Sequence, residues 1–216
     1  MMNMNSNEHK EFRQELANSI SHGFGLVLGI IAIPILTAMA TLKGNPTAIV
    51  GTSIYGFGFL MVYTTSTLYH SVTHPKVKDL LNILDHISIF LLIAGSYTPF
   101  ILAYYFNSLG ITLLCIIWGL ALLGIIFKII WGYKYQVLST IVYLLMGWLV
   151  VFFGRSFLLS MPLSCSILLG LGGLFYTIGV IFYLWEKWTY HHAIWHIFVL
   201  LGSITHYVAV LLTVMS

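Results

Sequence analysis

Apolar stretches of about 20 residues recur along the whole chain, separated only by short polar breaks. At a helical rise of about 1.5 Å per residue, such a stretch crosses a hydrocarbon layer of about 30 Å. The stretches fall near residues 21–42, 49–69, 83–106, 109–131, 138–157, 165–185 and 192–214. Backbone polar groups in lipid must be satisfied within the segment, and alternation of period two is absent, so the stretches read as helices. The expected architecture is an all-α, polytopic bundle of seven transmembrane helices. Pro34 and Pro99 lie inside spans and predict kinks.

Composition supports lipid as the solvent. Hydrophobic residues make up 59% of the chain and charged residues 7%, against about 25% charged in a soluble domain. Residues 1–18 hold Glu8, Lys10, Glu11, Arg13 and Glu15; they read as a short cytoplasmic or interfacial lead-in without a signal-peptide pattern. Residues 19–216 are then the membrane domain.

Basic residues set the orientation. With seven spans, Lys10, Arg13, Lys76, Lys78, Lys128, Lys134 and Lys187 share one side, and Lys43 and Arg155 the other. That bias places the N-terminus in the cytoplasm and the C-terminus outside. The net charge of +3 is mostly this inner-face excess, so the expected partners are membrane lipids and not nucleic acid. Cys115 and Cys165 lie in apolar surroundings and read as packing residues. Gly170, Gly172, Gly173 and Gly179 form a small-residue face in the sixth span. Trp131, Tyr133, Trp185 and Trp188 near span ends read as interfacial anchors.

Titratable groups at membrane depth carry a free-energy cost, so their few positions are informative. Of six acidic residues, Asp85 alone lies within a span, at the beginning of the third. The second span ends with Ser66 and His70, and the seventh begins with His192 and His196; both pairs have i, i+4 spacing and so share a helical face. Alternating span direction brings all five residues to the cytosolic end. Three neutral imidazoles with a fourth position left to water describe a catalytic zinc site, whereas a structural site takes four protein ligands. Asp85 then reads as a general base hydrogen-bonded to that water, and Ser66 as a group holding the water or a substrate oxygen. The plainer alternative is that each histidine is a hydrogen-bonding core residue; it weakens once three histidines and one aspartate meet at one level.

These residues fall in recognisable blocks. Ser66-x-x-Tyr69-His70, then Leu84-Asp85-His86 with Ile93-Ala94-Gly95-Ser96-Tyr97-Thr98-Pro99, then His192-x-x-x-His196 resemble the signature of the hemolysin III branch of the PAQR (progestin and adipoQ receptor) family. The opening Glu15-x-x-Asn18-x-x-Ser21-His22-Gly23 is similar to that family's first motif. The resemblance implies a Zn2+ ion on His70, His192 and His196, with Asp85 and Ser66 beside it. Relatives in that family include adiponectin-type receptors and, more distantly, alkaline ceramidases. It therefore implies hydrolysis of a lipid amide or ester by zinc-activated water, a link to membrane homeostasis, and a multi-pass place in the bacterial plasma membrane. Two alternatives stay open, a non-catalytic zinc-stabilised sensor of membrane fluidity and a pore-forming cytolysin.

His206 follows His192, His196 and Ser203 on one face of the seventh span, but about 15 Å beyond His196 it is too far to share an ion. It reads as an interhelical hydrogen-bond residue. His22 enters the first span at the inner end, where packing or capping competes with lining the site.

Overall fold

The computed structural model describes residues 6–153 and 155–216, and among them all regular structure is helical. The helices are α1 (Ser6–Leu42), α2 (Pro46–Ser71), α3 (Pro75–Tyr104), α4 (Ser108–Trp131), α5 (Gln136–Gly147), α6 (Leu149–Phe153), α7 (Arg155–Leu159), α8 (Leu163–Leu184) and α9 (His191–Met215). Six of them, α1 to α4, α8 and α9, are long and apolar enough to cross a membrane. Helix α1 runs without a break from the charged lead-in into the apolar span.

Local sequence explains the boundaries. The Asn45 side chain accepts from the backbone N–H groups of Thr47 and Ala48, capping α2 one residue before Pro46. Asn107 does the same for α4 through Gly110. Gly44 and Gly132 turn the chain after α1 and α4 at φ of 66° and 57°, a region most side chains avoid. Pro34 and Pro99 both lie inside continuous helices.

The apolar stretch at 138–157 is interrupted at Trp148, between α5 and α6. The divide between α5 and α6 is held by Tyr97 of α3. Its hydroxyl donates to the carbonyls of Gly147 at 2.7 Å and Met146 at 3.1 Å, and accepts from the backbone N–H of Val150 at 3.2 Å. Backbone groups freed by a helix break in an apolar setting need such partners. Trp148, at the break, donates its indole N–H to Thr177 of α8. Hydrophobic periodicity is blind to this interruption because the residues remain apolar throughout.

Helix α3 is the most enclosed of the long helices. Helix α2 packs along it, α1 along α2, and α8 along α9. The α2–α3 approach depends on glycine: a Cβ on Gly58 would stand 2.8 Å from the Leu91 carbonyl oxygen, and one on Gly51 would stand 2.8 Å from Pro99 Cα. The glycine face expected in α8 is narrower than the sequence implies. Gly172 and Gly179 touch α9 through His206 and Trp195, Gly173 only reaches Trp148, and Gly170 has nothing within 4 Å.

The outer surface is strongly apolar. On α4, Leu122, Leu123, Ile126, Ile129 and Ile130 are all exposed, as are Ile20, Phe24, Val27 and Ile31 on α1. A soluble protein rarely presents so continuous an apolar coat; with six long apolar helices, the chain is a multi-pass membrane protein. Trp131, Tyr133, Trp185 and Trp188 are exposed near helix ends. Cys165 is buried, its sulfur near the Ala209 carbonyl and the Thr213 hydroxyl, whereas Cys115 is exposed on the outer surface of α4.

Side-chain contacts order the two ends of the bundle. At one end Asn18 of α1 lies beside His70 of α2 and His196 of α9, and Tyr143 of α5 donates to the His86 carbonyl of α3. At the other end Lys43 reaches the Met215 carbonyl, Tyr104 meets Ser216, and Tyr105 meets Ser156.

Candidate metal centre

The end of α2 and the beginning of α9 converge on three imidazoles. His70, His192 and His196 each offer one ring nitrogen, and these nitrogens all lie within 4.8 Å of one another. Ring centroids are 5.1 Å apart for His70 and His192, 5.2 Å for His70 and His196, and 4.7 Å for His192 and His196. The i, i+4 spacing on α9 supplies the last pair, since one helical turn carries both rings onto one face. The third comes from packing of α2 against the rest of the bundle.

In all three rings the Nε2 atom is buried and has no hydrogen-bond partner among the described residues. A buried polar atom without a partner costs about 1–3 kcal/mol, so three in one place call for a common partner. The outer nitrogens of His70 and His196 are engaged. Nδ1 of His70 lies 2.8 Å from Glu15 Oε2, and Glu15 Oε1 lies 3.2 Å from Lys78 Nζ. Nδ1 of His196 lies 3.0 Å from Ser21 Oγ and 3.2 Å from the Asn18 carbonyl oxygen. The fit to a metal is good: three imidazole nitrogens, shielded from water and free of competing donors, form the set that a zinc-like ion takes.

Asp85 is buried about three turns into α3, with its carboxylate outside the three-nitrogen group. Ser66 of α2 is its neighbour, and the Ser66 hydroxyl is buried beside the Asp85 carboxylate. Asp85 and His192 both face a cavity of about 510 Å³ whose lining is mostly apolar. Its wall on α3 runs from Asn82 to Phe100, a helical rise of about 27 Å. The opposite walls come from α5, α8 and α9, with Tyr143, Tyr176 and Val199 among them. The volume is in the range of small-molecule sites, roughly 300–1,000 Å³.

Comparison with known proteins shows the family. The family described as "Haemolysin-III related" matches residues 10–207, which includes all five site residues. The chain belongs to the haemolysin-III related family. It is 47% identical over 199 residues to "Hemolysin-3 homolog" of Bacillus subtilis (strain 168), covering 92% of this chain and 93% of that one. Identity to "Hemolysin-3" of Bacillus cereus is 45% over 203 residues, covering 94% and 93%. Human "Monocyte to macrophage differentiation factor" is 29% identical over 206 residues, covering 91% and 83%. The motif resemblance to the hemolysin III branch of the PAQR family therefore holds over nearly the whole chain, and its place is the cell membrane.

Around the three histidines, this haemolysin-III related chain has neighbours on α1, of which Glu15 and Asn18 fall in the segment read as a lead-in. Glu15, Asn18 and Ser21 of α1 all touch the site from outside. His22 stacks on His196 with ring centroids 3.5 Å apart and planes 19° apart, and meets Tyr63 edge-on at 5.0 Å. The signal was present as spacing: positions 15, 18 and 22 share one face of a helix and continue into the buried stripe Gly25, Gly29, Ile33, Leu36 and Ala40. His206 is an interhelical residue, its Nε2 3.4 Å from the Leu169 carbonyl of α8. His86 and His191 point to backbone carbonyls of Asn82 and Phe182, away from the trio.

Proposed function

We propose that the chain is a zinc-dependent membrane hydrolase that cleaves an amide or ester bond in a lipid. The observation that carries this reading is the cluster of three buried, unpartnered Nε2 atoms beside a long apolar cavity that both His192 and Asp85 line. His70, His192 and His196 would hold the ion. When bound, zinc supplies a Lewis acid that lowers the pKa of water and polarises a carbonyl.

The protein's own groups do the rest. Asp85, buried among apolar residues, takes the proton from the attacking water as general base and delivers it to the leaving group. Ser66, its hydroxyl beside Asp85, orients that water or the substrate oxygen. The cavity takes the acyl chain along α3, excluding water from the reacting bond while the polar head stays at the histidine end. Its length along α3 suits an extended chain better than a compact soluble ligand.

Seven crossings with a cytoplasmic N-terminus complete the proposal. It is supported by the common direction of α1 and α9: the start of each lies at the histidine end, and Lys43 and Met215 meet at the other. An odd number of passes follows from that, with α5 to α7 returning the chain alongside α3. Tyr143 meets His86, Met146 meets Tyr97 and Ser156 meets Tyr105, in rising order on both strands of the chain. The basic bias then puts the metal site at the inner leaflet.

The test is lipid mass spectrometry of membranes incubated with purified wild-type protein or Asp85→Asn, together with elemental analysis. The proposal predicts stoichiometric zinc in both and a released fatty acid only with wild type. Zinc without any lipid product would favour the zinc-stabilised sensor of membrane fluidity instead. A cytolytic reading draws on the name "Hemolysin-3" of the Bacillus cereus relative; conductance across planar bilayers would support it.

A further inference from the structure

The charged start of α1 is an uncommon piece of sequence to find against a core. Glu15, Asn18 and His22 lie on the face that α1 turns inward, and Asn18 and His22 are buried at 6% and 2% exposure. Polar groups on a core-facing stripe are costly unless each has a defined partner. For Glu15 and Asn18 the partners are the back sides of two of the three proposed ligands, and His22 stacks on one of the same rings.

Hydrogen-bond chemistry fixes which ring nitrogen carries the proton. A carboxylate only accepts, so the 2.8 Å contact to Glu15 requires an N–H at Nδ1 of His70. At His196, Ser21 donates its hydroxyl proton to the Asn18 carbonyl at 2.8 Å. The hydroxyl oxygen and the same carbonyl therefore both face Nδ1 of His196 as acceptors, at 3.0 Å and 3.2 Å. That nitrogen must be the N–H, and Nε2 is left with its lone pair. The 3.5 Å stack of His22 on His196 blocks the ring from swinging away. Lys78 steadies the carboxylate of Glu15 at 3.2 Å.

We propose that Glu15 and Ser21 of α1 are positioning residues for the metal centre, selecting the Nδ1–H tautomer of His70 and His196 so that both Nε2 lone pairs face one ion. This rests on the metal reading proposed above and extends it to a helix that supplies no ligand. The third ligand, His192, has no such acceptor among the hydrogen bonds of the described residues; it is held by ring packing against Trp195 at 4.9 Å and Tyr183 at 5.8 Å. Control of the site thus passes through α1 for two of three rings.

The experiment uses the full-length protein purified in detergent, with zinc affinity measured by competition against a chromophoric chelator. Glu15→Ala and Ser21→Ala should each weaken zinc by about 10–100-fold. Glu15→Gln, whose amide oxygen still accepts, should fall between Glu15→Ala and wild type. In cobalt-loaded protein the visible ligand-field bands should move in Glu15→Ala, while the melting midpoint of the metal-free protein stays at the wild-type value. Unchanged zinc affinity in Glu15→Ala and Glu15→Gln would overturn the positioning role and leave the metal site standing. A loss of affinity matched by a lower metal-free midpoint, with unmoved cobalt bands, would reduce Glu15 to a fold-stabilising contact and also overturn it. Wild-type protein that binds neither zinc nor cobalt would remove both proposals together.

Discussion

The ring of His70 at the end of α2 and the ring of His196 one turn into α9 face each other with centroids 5.2 Å apart. Each presents an unpartnered Nε2 to the space between them, and His192 closes that space from the side. Substitution of any one by Ala leaves two ligands, too few for tight zinc binding. His70→Ala, His192→Ala and His196→Ala should each reduce zinc from about one per chain to near none, by elemental analysis of purified protein.

Asp85 stands apart from the three nitrogens, so its loss should separate chemistry from binding. Asp85→Asn keeps size and polarity but removes the base. Turnover should fall by about 10²–10⁴-fold with zinc content unchanged, the usual range for losing a general base. A fall in zinc alongside turnover would recast Asp85 as part of the ligand set.

Metal removal should loosen the fold as well as stop activity. An ion shared by α2 and α9 binds the folded chain and not the unfolded one, so it stabilises by mass action. Chelation should lower the thermal midpoint by several degrees, on the order expected for a few kcal/mol, and zinc should restore it. Magnesium, which prefers oxygen ligands, should not.

Tyr97 offers a prediction unrelated to metal. Its hydroxyl serves Met146, Gly147 and Val150 where α5 gives way to α6. Tyr97→Phe strands buried backbone groups and should destabilise by about 1–3 kcal/mol. Denaturation in detergent would show it, with helical content by circular dichroism nearly unchanged.

Two glycines should respond oppositely to one methyl group. At Gly58 the added Cβ meets the Leu91 carbonyl at 2.8 Å and Leu92 Cα at 3.0 Å, both backbone atoms that cannot step aside. Gly58→Ala should destabilise by about 1–3 kcal/mol through forced separation of α2 and α3. At Gly119 nothing lies within 4 Å, so Gly119→Ala should be neutral or stabilise by up to about 1 kcal/mol through helix propensity. Thermal midpoints of the two variants compared with wild type would check this.

Much was legible before any fold was known, because a membrane makes sequence talk plainly. Runs of about 20 apolar residues have one economical structure in lipid, and few titratable side chains can be held there without a purpose. That logic marked Ser66, His70, Asp85, His192 and His196, and alternating helix direction put them at one end. Its limit shows at 138–157, where apolar composition continues across the break at Trp148 between α5 and α6. Hydropathy sums side chains; a helix ends where backbone carbonyls find another donor, as Met146 and Gly147 find Tyr97.

The sequence by itself determined the solvent, the helical class and the residues able to bind a metal, since those depend on composition and on spacing within one helix. Only the tertiary structure decided that Glu15 backs His70, that Ser21 and Asn18 back His196, and that the site opens on a cavity reaching along α3. Those relationships join side chains from different helices. They are set by how far each helix rotates and how closely its glycines let a neighbour approach, quantities that no periodicity along a single chain contains.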